Sequence, residues 1–203
     1  MTRLYARDGN LAGAFGVPGN PYALAFDGTY IWTANYGGSS VNKLLATSGS
    51  LVATIGVPAG STGLAFDGTN IWVASYNAAM LTKIRASDNS MQGNASTGTL
   101  PYSLAYDGAN IWVANLGDNT VWKRRASDLA YLGSFPTGGV EPTRLAFDGT
   151  AVWAAHGNGV LVKLSASDGT ALWSSPSGSG AYGIAFDGAN IWVGDQGGVL
   201  RKY

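Results

Sequence analysis

The sequence predicts an all-β fold, a five-bladed β-propeller of four-stranded antiparallel blades, and three observations carry that prediction. The first is a repeated phrase. Ala185-Phe186-Asp187-Gly188-Ala189-Asn190-Ile191-Trp192-Val193 recurs at Ala25 to Thr33, Ala65 to Val73, Ala105 to Val113 and, altered, at Ala146 to Ala154. Its tryptophans fall at 32, 72, 112, 153 and 192, a step of 39 to 41 residues, which marks one supersecondary unit copied five times. The second is the Asp-Gly pair inside every copy. It lies between short apolar runs such as Leu24-Ala25-Phe26 and Ile31-Trp32-Thr33-Ala34, where Asp organises a turn and Gly supplies positive φ, so each copy reads as a hairpin. The third is the adjacency of Ile31 and Trp32. Side chains alternate along a strand, so these two large apolar groups point to opposite faces and the sheet must be covered on both. Small sheets stacked face to face around an axis meet that demand. The recurrent Ala25, Ala65, Ala105, Ala146 and Ala185 suit an innermost strand, where blades converge.

Residues 21–60 give the first complete blade, with an inner strand Tyr22 to Phe26, a second Tyr30 to Asn35, a third Val41 to Ala46 and a fourth Leu51 to Val57. Residues 61–100 repeat it with a more polar fourth strand, Met91 to Ala95, which fits an exposed blade edge. Residues 101–141 add Trp122 on the third strand, and residues 142–180 add Trp173 on the fourth. Residues 181–203 supply three strands. Residues 1–20 look like the missing part: Arg3 to Gly9 aligns with Lys43 to Gly49, and Leu11 to Val17 aligns with Leu51 to Val57, including a shared Gly-Val-Pro. The expectation is a single domain, 1–203, in which the strand Leu11 to Val17 pairs with the one ending at Tyr203, completes the last blade and closes a monomeric ring.

Composition narrows the partners. With 12 basic and 12 acidic residues the formal net charge is zero, and phosphate binding needs a basic surface, so no nucleic-acid partner is expected. The 30 glycines and the low charged fraction of 12% suit short buried strands joined by tight turns. There is no cysteine, which excludes disulfides and thiolate metal sites. The first eight residues lack the apolar run of a signal peptide, and no stretch approaches the roughly 18 apolar residues of a membrane span, so a soluble chain without a membrane partner is expected.

Phrases such as Tyr182-Gly183-Ile184-Ala185-Phe186-Asp187-Gly188-Ala189-Asn190-Ile191-Trp192-Val193, followed by Val199-Leu200-Arg201-Lys202, resemble the blades of virginiamycin B lyase and of the wider NHL and YVTN propeller families. The resemblance runs along the whole chain and implies the fold; those families include enzymes, binding proteins and scaffolds. Members commonly have more blades than five. Copies this regular suit a recently amplified gene or an engineered array without a natural ligand.

The candidate site is the rim of the channel mouth, where inner strands begin and second strands end. The first set of positions is Tyr22, Thr62, Tyr102, Thr143 and Tyr182; the second is Asn35, Ser75, Asn115, His156 and Asp195, followed by Tyr36, Tyr76, Leu116, Gly157 and Gln196. These vary between copies while the framework does not, so they answer to no shared packing need, and replacing His156 or Asp195 should cost little stability. Tyr22, Asn35, Tyr36, Tyr76, Tyr102, Asn115, Arg144, His156, Tyr182 and Asp195 combine flat apolar faces with hydrogen-bonding groups, a mix suited to a small molecule such as a sugar, a glycan or a peptide.

The lyase resemblance implies a histidine at an inner-strand start and a carboxylate near a second-strand end, acting as acid and base beside magnesium. Here the inner-strand starts are Tyr or Thr, only Asp195 offers the carboxylate, and His156, the sole histidine, sits in the other element; a His156–Asp195 pair perturbed by Arg144 and Glu141 is the one acid–base set available. A non-enzymatic module without cofactor or metal is therefore the leading expectation. Asp27, Asp67, Asp107, Asp148 and Asp187 read as turn formers and not as a metal ring. The five core tryptophans read as packing between blades, and Lys43, Lys83, Lys123, Lys163 and Lys202 as a solvated outer stripe.

Overall fold

The computed structural model describes residues 1–4 and 11–203, without the side chains of Arg3 and Leu4. The segment 5–10, part of the stretch aligned with Lys43 to Gly49, lies outside the described residues. In chain order the strands are β1 (Thr2–Leu4), β2 (Leu11–Ala14), β3 (Pro21–Phe26), β4 (Tyr30–Asn35), β5 (Ser40–Leu45), β6 (Leu51–Gly56), β7 (Ser61–Phe66), β8 (Asn70–Ser75), β9 (Met80–Arg85), β10 (Met91–Ser96), β11 (Pro101–Tyr106), β12 (Asn110–Asn115), β13 (Thr120–Arg125), β14 (Tyr131–Pro136), β15 (Pro142–Phe147), β16 (Ala151–His156), β17 (Val160–Ser165), β18 (Ala171–Pro176), β19 (Ala181–Phe186), β20 (Ile191–Asp195) and β21 (Leu200–Lys202). The fold is the all-β, five-bladed propeller of antiparallel blades, with no helix among the described residues. Among the described residues, therefore, no helix is long and apolar enough to cross a membrane.

Each blade is a meander that starts at the axis. The first hairpin of each turns on Asp-Gly, whose glycine has φ between 94° and 99° in all five copies, a conformation that favours glycine. The aspartate completes the turn: Asp107 Oδ1 accepts the amides of Ala109 and Asn110 at 2.9 and 2.7 Å. Its other oxygen accepts the Trp112 indole N–H at 2.7 Å, and the same bond joins Asp27–Trp32, Asp67–Trp72, Asp148–Trp153 and Asp187–Trp192. The repeated Asp and Trp are thus one device, a turn that also fixes the indole inside the blade. For Asp187 the Trp192 indole and the Asn190 and Ala189 amides hold the carboxyl well below its ordinary range.

The core lies between blades. Ala25, Trp32 and Val41 of the first blade pack on Leu64, Phe66, Ile71, Val73 and Ile84 of the second, and the same pattern joins the second to the third, the third to the fourth and the fourth to the fifth. Lysines tie the same interfaces. The ammonium groups of Lys43, Lys83 and Lys123 each donate at 2.6 Å to a carbonyl of the next blade, at Ala86, Ala126 and Ala166, while lying 5.0 to 5.2 Å from their own tryptophan ring. Lys43 and Lys123 are buried, which overturns the expectation of a solvated stripe. The reason is reach: the long apolar stem crosses the indole face and places the charge on an otherwise unpaired carbonyl.

The two ends differ from the interior. The inner strands of successive blades pack side by side through β3, β7, β11, β15 and β19, but β3 and β19 do not meet in this way. The last blade has three strands, and β1 and β2 form their own two-stranded sheet; the ladder expected between β2 and the strand ending at Tyr203 is not formed among the described residues. Instead Phe15, just after β2, packs on Gly49 of the first blade, as Phe135 packs on Gly169. The N-terminal hairpin therefore occupies the outer half of the first blade's face and leaves Leu24 and Phe26 of the inner half 57% and 54% exposed.

Candidate functional site: a tyrosine quartet at the channel mouth

A structural device recurs at the rim. In every blade the inner strand carries a β-bulge against the second strand, so that Pro21 pairs with Asn35 and Ala23 with Ala34 while Tyr22 stands unpaired between them. The bulged residues of the other blades are Thr62, Tyr102, Thr143 and Tyr182. A bulge re-aims its side chain out of the regular alternation, and here it directs the residue toward the mouth. The sequence pattern located these positions but carried no sign of the bulge itself.

The alternation of Tyr and Thr at these bulges has a consequence. Thr62 turns its hydroxyl down to donate to the carbonyl of Pro101 at 2.8 Å, and Thr143 does the same to Ala181 at 2.9 Å. Each small side chain ties two inner strands and leaves the space above it free. Over Thr62, Tyr22 of the first blade reaches Tyr102 of the third, their rings 5.6 Å apart edge to face and their hydroxyls in contact. Tyr36 and Tyr76, which follow β4 and β8, complete a closed quartet, with neighbouring centroids 6.1 Å apart at Tyr22–Tyr36, Tyr36–Tyr76 and Tyr76–Tyr102. Their backbones are fixed by bonds to the incoming loops, Tyr36 N–H to Asn20 and Tyr76 N–H to Gly60. Tyr22 and Tyr36 remain exposed and Tyr76 and Tyr102 half-buried. The Arg144 guanidinium lies 4.9 Å from the Tyr102 ring centre and donates to the Thr143 carbonyl at 2.8 Å. Beside the quartet is a pocket of about 180 Å³ lined by Tyr22, Thr62, Tyr102, Ser103 and Arg144. Tyr182 stands apart from the quartet and is exposed.

The second-strand residues are not on the open rim. Asn35, Ser75, Asn115 and His156 are all 0% exposed, and the Asp195 side chain is almost fully buried. In four of the five blades the cause is the entering loop, which lays a glycine on the residue that ends the second strand: Gly19 on Asn35, Gly98 on Asn115, Gly139 on His156 and Gly178 on Asp195. That glycine, upstream of each site in the sequence, was the available signal.

His156 is held at both nitrogens. Nδ1 lies 3.0 Å from the Val160 carbonyl, which can only accept, so Nδ1 carries the proton; Nε2 then accepts from the Thr137 hydroxyl at 2.6 Å. Burial pushes the pKa of the ring below its ordinary value, and the imidazole is neutral. Asp195 is bound by Arg201, which with the Val199 amide holds its carboxyl below the usual range, and Arg201 also donates to the Ser177 carbonyl at 2.8 Å. The acid–base set of His156 and Asp195 is thus committed to loop contacts, and Arg201, which the sequence marks only as part of the repeat, takes the place expected for Arg144 and Glu141. Among the described residues there is no group of three or more His, Cys, Asp or Glu able to hold a metal ion.

No family model and no curated protein matches the chain. Solved structures do, at low identity. The WD40 repeats of RRP9 superimpose with a TM-score of 0.86 at 15% identity, over 99% of this chain and 68% of that one. The computationally designed protein Ika8 gives 0.79 at 15%, over 96% of this chain and 62% of that one. Hydrazine synthase of Kuenenia stuttgartiensis gives 0.79 at 17%, over 90% of this chain and 57% of that one. The chain therefore spans a little over half to about two thirds of these structures' lengths. At such identities the likeness is one of fold: the protein is similar to β-propellers.

Proposed function

We propose that the chain is a non-enzymatic binding module that holds a saccharide over the tyrosine quartet. The observation that carries this reading is the closed ring of Tyr22, Tyr36, Tyr76 and Tyr102, drawn from three blades and left open to solvent beside the Arg144 pocket. Exposed aromatic faces have a large apolar area, and the phenol hydroxyls give them a polar margin. A sugar ring has the same division, with C–H faces and a hydroxyl edge. Ser103, Thr62 and the guanidinium of Arg144 line the wall where such hydroxyls would be met. Asn35, Asn115 and His156 serve this site by fixing the loops that lead to Tyr22, Tyr102 and Arg144, while Asp195 fixes the loop before Tyr182, which stands apart from it.

A glycan array followed by titration of the intrinsic tyrosine and tryptophan fluorescence tests the reading. Saturable binding should be lost in Tyr36→Ala and Tyr102→Ala while both variants still melt cooperatively. Binding that is indifferent to both substitutions, binding of peptides with no saccharide bound, or no saccharide binding at millimolar concentration would each overturn it.

A further inference from the structure

We propose that the fifth blade of one chain docks head to tail on the first blade of a second copy, repeating the contact that joins successive blades. The two faces concerned are those left uncovered at the ends of the row. On the fifth blade, Ala185, Trp192 and Leu200 stand where Ala25, Trp32 and Val41 stand on the first, and Leu200 is 65% exposed whereas Val41, Leu81, Val121 and Leu161 are 0% exposed. On the first blade, Leu24, Phe26 and Ile31 stand where Leu64, Phe66 and Ile71 stand on the second, and they line an apolar groove of about 320 Å³ whose other wall is Met1, Thr2 and Phe15. The four interfaces inside the molecule bring these same two sets of residues together. Each end therefore presents the complement of the other.

The polar tie is in place too. Lys202 holds the position of Lys43, Lys83 and Lys123, and the carbonyl it would meet is that of Ala46, which holds the position of Ala86, Ala126 and Ala166. The N-terminal hairpin leaves room for the docking blade. Phe15 on Gly49 puts β2 in the seat of a fourth strand, so the seats next to Leu24 and Phe26 are those of a first and a second strand, which β19 and β20 supply. β21 and β1 compete for the third seat. Both are three residues long and Lys202 and Arg3 are in the same phase of the repeat, so β21 takes the place of β1 and pairs with β2 to give a four-stranded blade.

A second copy, rather than the chain's own other end, follows from the open row of inner strands. All five blades superimpose on part of longer propeller chains, with TM-scores of 0.79 and 0.86 over 96% and 99% of this chain. Within the chain, β3 and β19 do not pack side by side as the inner strands of successive blades do, and among the described residues no ladder joins the two end blades. Closing on itself would rework all four interfaces, whereas a second copy uses them as they are. The contact is heterologous, so each docked pair still offers one face of each kind. This departs from the monomer expected from the sequence.

Sedimentation of the 203-residue chain, without saccharide, from low to high micromolar concentration tests the proposal. The mass should rise with concentration to two chains or more. Leu24→Glu blocks one face and Leu200→Glu the other; both residues are exposed in the single chain, so circular dichroism should show each variant folded, and each alone should sediment as one chain. An equimolar mixture of the two should form a species of two chains, because each variant supplies the face that the other lacks. A wild-type chain that stays single at every concentration overturns the proposal even if a variant misfolds. Wild-type association that survives both substitutions, or variants that stay apart on mixing, overturns it as well.

Discussion

Trp112 and Trp192 stand at the same place in the repeat and share most of their local contacts. Each indole donates to its turn aspartate, at 2.7 and 2.6 Å, and each lies under a lysine, at 5.0 and 5.6 Å. Yet Trp112 is fully buried, under the fourth blade, while Trp192 is only half-buried. The comparison separates two kinds of order: the repeat itself fixes turn, rotamer and cation contact, and the neighbouring blade supplies the burial. In a repeat protein stability is therefore held at interfaces, and identical residues differ in worth by position. Trp112→Ala should cost about 3–5 kcal/mol through lost burial and a cavity. Trp192→Ala should cost less than about 2 kcal/mol, since much of its surface is already wet. Urea melts at a dilution where chains are single measure both, and equal losses would break the comparison.

The next largest effect belongs to His156. The sequence reading treated it as a rim residue of little consequence for folding, and its complete burial reverses that expectation. Alanine there removes a buried ring and leaves the Thr137 hydroxyl and the Val160 carbonyl unpaired, at about 1–3 kcal/mol for a group that stays buried. A loss of about 2–4 kcal/mol is expected, against less than about 0.5 kcal/mol at exposed Tyr182. The pH dependence has a definite sign. The folded pKa of His156 lies below its unfolded value of about 6.5, so the unfolded chain binds the extra proton first. Stability from this group is complete above pH about 6.5 and falls as pH drops toward the folded pKa. His156→Asn should flatten that slope between pH 5 and 7 in melts followed by fluorescence, and an unchanged slope would assign it to other groups.

Much of the fold was legible because it is periodic. The Asp-Gly hairpins, the four-strand meander and the five tryptophans could be read from spacing alone, since each follows from residue type within one copy. What lay beyond reading depends on other copies or on backbone irregularity. The bulges that aim Tyr22, Tyr102 and Tyr182 leave no compositional mark. The Tyr22–Tyr102 contact needs the small Thr62 between them, a relation across 80 residues. Asn35, Asn115 and His156 looked exposed because they vary; in fact each fits a different loop under its own glycine. Lys83 looked like a surface charge because its carbonyl partner belongs to the following blade.

That lysine gives a sharper form of the same comparison. Lys83→Met keeps the apolar stem over Trp72 but deletes the bond to Ala126, a hydrogen bond to a charged group worth about 1.5–3 kcal/mol. Lys202→Met at the open face should change stability by less than about 0.5 kcal/mol in the single chain. Thermal melts of the two variants side by side decide the matter: matching losses would mean that the lysines act within their own blades and that the inter-blade tie is idle.

The smallest stability effect, and the most informative for function, is expected inside the quartet. Tyr22 and Tyr102 touch edge to face with their rings 5.6 Å apart, a geometry worth about 0.5–1.5 kcal/mol beyond area. Because Tyr22 is exposed and no core residue rests on it, Tyr22→Phe should remove only the contact between hydroxyls and change stability by less than about 0.5 kcal/mol. Those hydroxyls are the polar margin of the quartet, so saccharide affinity should fall about tenfold, the worth of one hydrogen bond at about 1.4 kcal/mol. Tyr182→Phe, outside the quartet, should leave both stability and affinity unchanged. Should Tyr182→Phe weaken binding and Tyr22→Phe leave it intact, the ligand would sit over the fifth blade, and the alternation of Tyr and Thr around the mouth would be a packing pattern alone.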